Sequence, residues 1–92
     1  MTTVMLKDVV EVRPVGRHRL YLRFEDGVSG ELDITALVTF DGVFAAMRDP
    51  RFFAEVGVNK ELGTICWPNG IDLDPDVLYA KLVESDSAAS RR

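Results

Sequence analysis

The stretch Cys66-Trp67-Pro68-Asn69-Gly70-Ile71-Asp72-Leu73-Asp74-Pro75-Asp76-Val77-Leu78-Tyr79 constrains the fold of this chain more than any other. Its lead-in, Thr64-Ile65-Cys66-Trp67, is β-branched and aromatic, which suits a half-buried strand. Pro68-Asn69-Gly70 stops that strand. Proline fixes φ and lacks an N–H, and Asn-Gly tolerates a positive φ, so the chain turns. Asp72 is placed to tie the turn down. Asp74-Pro75 then opens a helix, with the aspartate as N-cap and the proline at the first helical position. Asp76 adds negative charge at the positive end of the helix dipole. Leu78, Tyr79, Leu82 and Val83 follow at helical spacing.

Upstream of this stretch the pattern is that of strands and short helical turns. Asp8 to Val15 reads as a first strand, with Val10 and Val12 on one face and Glu11 and Arg13 on the other. Pro14 has no donor and suits a strand end or edge. After the turn at Gly16-Arg17-His18, Arg19 to Phe24 alternates cleanly: Leu20, Leu22 and Phe24 inward, Arg19, Tyr21 and Arg23 outward. Asp26-Gly27 favours a tight hairpin into a third strand, Val28 to Asp33. Asp33 caps a helical turn from Ile34 to Val38. Val43 to Arg48 reads as a second short helix, and Asp49-Pro50 opens a third turn, Arg51 to Val56. Phe44, Met47, Phe52 and Phe53 are the core anchors of this region. A second hairpin joins Val56 to Asn59 with Gly63 to Trp67. The last helix runs from Pro75 to about Glu84.

The fold class expected is therefore α+β: an antiparallel β-meander plus a second β-hairpin, with short helices and a C-terminal helix. One domain covers residues 1–84, and 85–92 reads as a disordered Ser/Ala-rich tail. At 92 residues the core is modest, because a chain this small buries only about two-thirds of its unfolded surface. Dimerisation would help it.

Charge and composition exclude several classes. A formal net charge of −4 argues against direct nucleic-acid binding, which normally needs a basic face. A single cysteine cannot form an internal disulfide, so nothing points to secretion. No apolar run reaches the ~18 residues of a membrane span, and no signal-peptide core is present. The reading is cytoplasmic.

Candidate chemistry is sparse. Asp72, Asp74 and Asp76 alternate like calcium ligands, but an EF-hand loop needs glycine at its sixth position and glutamate at its twelfth. Counted from Asp72, those places hold Val77 and Val83. Turn-tying and capping account for the three aspartates, so no metal site is expected. His18, the only histidine, sits in a turn with no carboxylate beside it to orient it and reads as a solvated loop residue. Cys66 lies in an apolar strand and reads as buried and inert. Arg13, Arg17, Arg19 and Arg23 interleave with Glu11, Glu25, Asp26 and Glu31, which reads as a mixed solvated face. No catalytic residue and no cofactor are expected.

Three motifs carry a family resemblance. They are Phe24-Glu25-Asp26-Gly27 followed by Leu32-Asp33, then Phe44…Met47-Arg48-Asp49-Pro50-Arg51-Phe52, and the run from Trp67 to Tyr79. Together they resemble the small bacterial proteins grouped as domain of unknown function 2442. Ile71 departs from the pattern, where a small residue such as alanine is usual. The resemblance implies an α+β domain found alone or ahead of a helix-turn-helix domain. It also implies that some members sit beside a second small protein in toxin–antitoxin-like pairs.

The functional expectation is a non-catalytic protein-interaction module, antitoxin-like or regulatory, whose partner is a second small protein or a second copy. The alternative is a small-molecule-sensing domain related to the N-terminal domains of helix-turn-helix regulators. Strand edges offer unpaired backbone groups that are either blunted or used. Pro14 and the charges of the first hairpin blunt one side. The second hairpin carries fewer charges, so the candidate interaction surface is Val58, Trp67, Pro68, Asn69, Gly70 and Asp72. Of these, Trp67 shares a strand face with Ile65, which favours a core position for the indole. Asp74 and Pro75 are assigned a structural role as helix cap.

Overall fold

The alternating segment Arg19–Phe24 forms the central strand of a three-stranded antiparallel sheet. The structure is a computed structural model and describes residues 8–90, with side chains described as far as Glu84. Strand β1 is Val9–Gly16, β2 is Arg19–Phe24 and β3 is Ser29–Asp33, in the order β1-β2-β3. Leu20 lies opposite Leu32, and Leu22 lies opposite Gly30. Leu20, Leu22 and Phe24 are completely buried, as the period-2 pattern requires. Residues 1–7 lie outside the described residues.

The inward face of β1 differs from expectation. Val9 pairs with Phe24 and Glu11 with Arg23, so a register shift falls at Val10. The extra residue of such a bulge is left out of the alternation. Val9 is therefore the buried residue, Val12 packs partly against the core, and Val10 is 43% exposed. The Asp26-Gly27 hairpin forms as expected, with Asp26 Oδ1 accepting from the Val28 N–H at 3.0 Å and Gly27 at φ +94°.

Three short helical pieces follow, and two are capped by aspartate in the same way. Asp33 accepts from the Thr35 N–H and opens the 3-10 turn Ile34–Ala36. Asp49 accepts from the Arg51 N–H and opens α1, Pro50–Phe53. Between them Gly42–Arg48 is a 3-10 helix. Met47 and Phe53 are buried, while Phe44 and Phe52 pack at the edge of the core. Strands β4, Gly57–Asn59, and β5, Thr64–Cys66, form a separate antiparallel pair with Val58 opposite Ile65.

Helix α2 spans Pro75–Ser90. Its expected end was about Glu84, but Ser85-Asp86-Ser87-Ala88-Ala89 contains neither proline nor glycine to stop it. The side chains of the segment read as a tail, 85–90, and residues 91–92 lie outside the described residues. Leu78 and Leu82 of α2 are buried with Val9, Leu32, Ile34, Ile65, Trp67 and Leu73 in one apolar cluster. Gly30 of β3 lets α2 approach: a Cβ there would stand 3.0 Å from Leu82 Cδ2. Tyr79 stacks edge-on at 5.0 Å against Phe24, and its hydroxyl donates to Asp26, fastening α2 to the first hairpin.

Candidate functional site

The second hairpin and the turn after it hold most of the residues singled out from the sequence. β4 is bonded as a strand to β5 alone. Its three residues are half-buried. The hairpin loop is closed by Asn59, whose side-chain oxygen accepts from the N–H groups of Glu61 and Leu62 and whose carbonyl accepts from Gly63. At Gly63 the hairpin meets the meander: the Val9 N–H donates to the Gly63 carbonyl at 3.0 Å. Gly63 has φ +70°, and a Cβ there would collide with the Asp8 carboxylate.

The turn Pro68-Asn69-Gly70 is exposed. Its tie is Asn69 rather than Asp72: Asn69 Oδ1 accepts from the Ile71 N–H at 3.2 Å, and the Trp67 N–H donates to the Ile71 carbonyl at 2.9 Å. Asp72 contributes through its backbone, as an isolated bridge to Cys66. Asparagine is suited to this by its short acceptor side chain, which bonds the backbone two residues on. Asp74 and Pro75 are the helix cap expected of them, with Asp74 Oδ1 accepting from the Asp76 N–H at 2.9 Å. Ile71 packs half-buried against the core.

Trp67 leaves the candidate surface. It is 2% exposed. Its indole N–H donates to the Phe53 carbonyl at 2.9 Å, and its ring lies 5.8 Å from that of Phe53. A buried indole finds a partner for its one polar atom, and α1 supplies it here. Of the residues assigned to a partner surface, Val58, Pro68, Asn69, Gly70 and Asp72 keep some exposure.

His18 also departs from expectation. It is half-buried, with φ +62°, and its carbonyl accepts from the Ile34 N–H. The ring stands nearly perpendicular to Phe40 at 4.8 Å and to Phe53 at 5.2 Å. Its Nε2 is buried with no hydrogen-bond partner among the described residues. The left-handed backbone turns the ring into the protein, where two aromatic rings cover it. Cys66 is a free thiol and half-buried, less enclosed than expected.

The charged face of the meander is mixed and internally paired. Glu11 accepts from Arg23 at 3.1 Å and from Arg13 at 3.2 Å, and these bonds hold its carboxyl below the ordinary value, Arg23 contributing most. Arg13 also lies over the Tyr21 ring at 4.4 Å, and Arg19 pairs with Glu31 at 3.5 Å. Among the described residues no three of His, Cys, Asp and Glu gather as metal ligands. None of the described helices is long and apolar enough to cross a membrane.

Two clefts break the surface. One, of about 400 Å³, lies between β3, the 3-10 turn and α2. Its floor is Leu32, Ala36 and Leu37, and its rim carries Arg19, Glu31, Asp33, Lys81 and Glu84. The second, of about 340 Å³, lies between β1 and β4 and is lined by Asp8, Val9, Val10, Glu25, Val58, Lys60 and Gly63. Sequence reasoning picked out Val58 but missed Asp8, Glu25 and Lys60. A signal existed in part: Asp8 and Glu25 flank the paired ends of β1 and β2, where the Glu25 N–H donates to the Asp8 carbonyl.

Two antiparallel sheets, aspartate-capped helical turns and one long C-terminal helix around a single apolar cluster define a small α+β domain. The chain belongs to the family described as protein of unknown function (DUF2442), whose profile matches residues 9–84. Neither a curated protein nor a solved structure matches it.

Proposed function

We propose that this domain is a non-catalytic interaction module that receives a second chain along the outer edge of β4. The observation that carries the reading is that β4 has a strand partner on one side only, β5. An edge strand of this kind presents backbone groups that pair with an added strand. The exposed Pro68-Asn69-Gly70 turn, from which the chain returns to bridge β5 on the side away from β4, offers a second accessible surface. The partner is a second small protein or a second copy, and the setting is the cytoplasm, in an antitoxin-like or regulatory pair. The histidine supports a non-catalytic role by its place: its ring is held between Phe40 and Phe53.

The experiment is a Val58→Pro substitution read by native mass spectrometry of protein purified from its own host. Proline removes a donor and disturbs the edge. Complex formation is expected to vanish, while circular dichroism shows the monomer still folded. An intact complex with Val58→Pro, or wild-type protein that is only monomeric at micromolar concentration, overturns the reading. The ligand-sensing alternative rests on the cleft of about 400 Å³. Its rim already pairs Arg19 with Glu31 and Lys81 with Glu84, so the strand edge is the better-supported site.

A further inference from the structure

Two rings cover the imidazole of His18, and only one of them is placed to leave. Phe53 is 1% exposed, its N–H donates to the Asp49 carbonyl, and its own carbonyl takes the Trp67 indole N–H. It cannot move without opening the core. Phe40 is half-buried at the surface, 4.8 Å from the imidazole and nearly perpendicular to it. Its backbone belongs to a short strap. At one end the Val38 N–H donates to the Ile34 carbonyl at 3.2 Å. At the other the Asp41 carbonyl accepts from the Phe44 N–H, and the Asp41 carboxylate accepts from Arg48 at 2.7 Å. Between these fastenings neither the Thr39 nor the Phe40 N–H donates to an acceptor among the described residues. His18 is itself fixed from behind: its carbonyl accepts from the Ile34 N–H at 2.9 Å, and its backbone is left-handed.

We propose that Phe40 is a gate over His18, which swings outward on the Thr39-Phe40 strap and opens the imidazole Nε2 to solvent while the rest of the domain stays folded. Two opposed effects of similar size set the balance. The closed gate keeps the edge-on contact of Phe40 with His18 and its contact with Phe53 at 6.3 Å, and aromatic pairs of this kind are stabilising beyond their area. The same closure leaves Nε2 buried with no partner among the described residues, and a buried polar group without a hydrogen bond forfeits the water it had. Opening reverses both and leaves the two fastenings of the strap in place, so it belongs with the local fluctuations that precede global unfolding. In the closed form His18 is a packing residue. In the open form its Nε2 bonds water or a polar group brought by another molecule.

The test is acylation of the folded full chain by diethyl pyrocarbonate, which reaches an imidazole nitrogen only when that nitrogen is exposed. His18 is the only histidine, so the initial rate of Nε2 product, told from Nδ1 product by proton–nitrogen NMR, belongs to it alone. That rate is expected to lie about ten- to a thousandfold below that of a blocked Arg-His-Arg peptide, as an open form populated at ~0.1–10% gives. Urea below the unfolding midpoint should leave it nearly unchanged, since a swinging ring exposes little surface. Phe40→Ala, with Trp67 fluorescence as in the wild type, should raise it at least about tenfold. A wild-type rate equal to the peptide's, or below the expected range, overturns the proposal. So does a rate that climbs with the full urea slope of global unfolding, because His18 is then reached only by unfolding. A folded Phe40→Ala with an unchanged rate overturns it as well. Should that variant fail to fold, the urea dependence of the wild-type rate decides alone.

Discussion

Gly63 and Asp8 share a space that only glycine leaves open. With φ +70° and the Asp8 carboxylate where a Cβ would stand, Gly63→Ala meets both backbone strain and a collision. The expected loss is about 1–3 kcal/mol in urea unfolding. Because the two residues touch, the cost should be smaller in an Asp8→Ala background, and additive costs would show that backbone strain alone is responsible. Tyr79 offers a second residue-scale prediction. Its hydroxyl donates to Asp26, and that bond raises its ionisation above the ordinary value. A raised folded value means the contribution is present below the unfolded value and fades as pH rises through the folded one. Asp26→Asn should move the Tyr79 transition to lower pH in ultraviolet absorbance, and an unmoved transition would contradict the assignment. His18 marks the limit of reading at this scale. Its neighbours in sequence are arginines, and nothing local reveals that Phe40 and Phe53 close over it.

At the scale of elements, what was legible was whatever local chemistry decides. Asp33, Asp49 and Asp74 each accept from the N–H two residues on, and each was readable as a cap because a short carboxylate beside a helical pattern has few other uses. Asp74→Ala should therefore cost about 0.5–2 kcal/mol, read from the urea midpoint. A silent substitution would mean that α2 is held by Leu78 and Leu82 alone. The Arg19–Phe24 alternation was equally plain. The face of β1 was not, because strict alternation assumes an unbroken ladder and the shift at Val10 depends on pairing with β2. The type of the helix at Gly42–Arg48 also depends on its surroundings, since a helical period does not separate a 3-10 helix from an α-helix over so few residues. The far end of α2 was misjudged from composition: serine and alanine suggest a tail, yet neither breaks a helix.

The candidate site and the cooperativity of the fold belong to the whole molecule. Val58 and the Pro68-Asn69-Gly70 turn were legible as an edge and an exposed loop, since low charge and turn chemistry are local. Trp67 borders that turn although its strand face favours the core, and the deciding partner, the Phe53 carbonyl, lies in α1. The cleft was out of reach for the same reason: Asp8, Glu25 and Lys60 meet Val58 only when the hairpin docks on β1 through Gly63. That docking makes a global prediction. Val9, Leu20, Leu22, Phe24 and Leu32 of the meander share one cluster with Ile65 and Trp67 of the second hairpin and with Leu78 and Leu82 of α2. A two-stranded hairpin is marginal by itself in water, so β4 and β5 should persist only while the cluster does. Trp67 is the sole tryptophan and reports on the hairpin side, whereas far-ultraviolet circular dichroism reports on the whole backbone, α2 included. In urea the two signals should fall on one curve with a common midpoint, as a two-state domain requires. A tryptophan transition at lower urea than the circular dichroism transition would mean that the second hairpin opens by itself, and that the contact between Val9 and Gly63 is a weak seam.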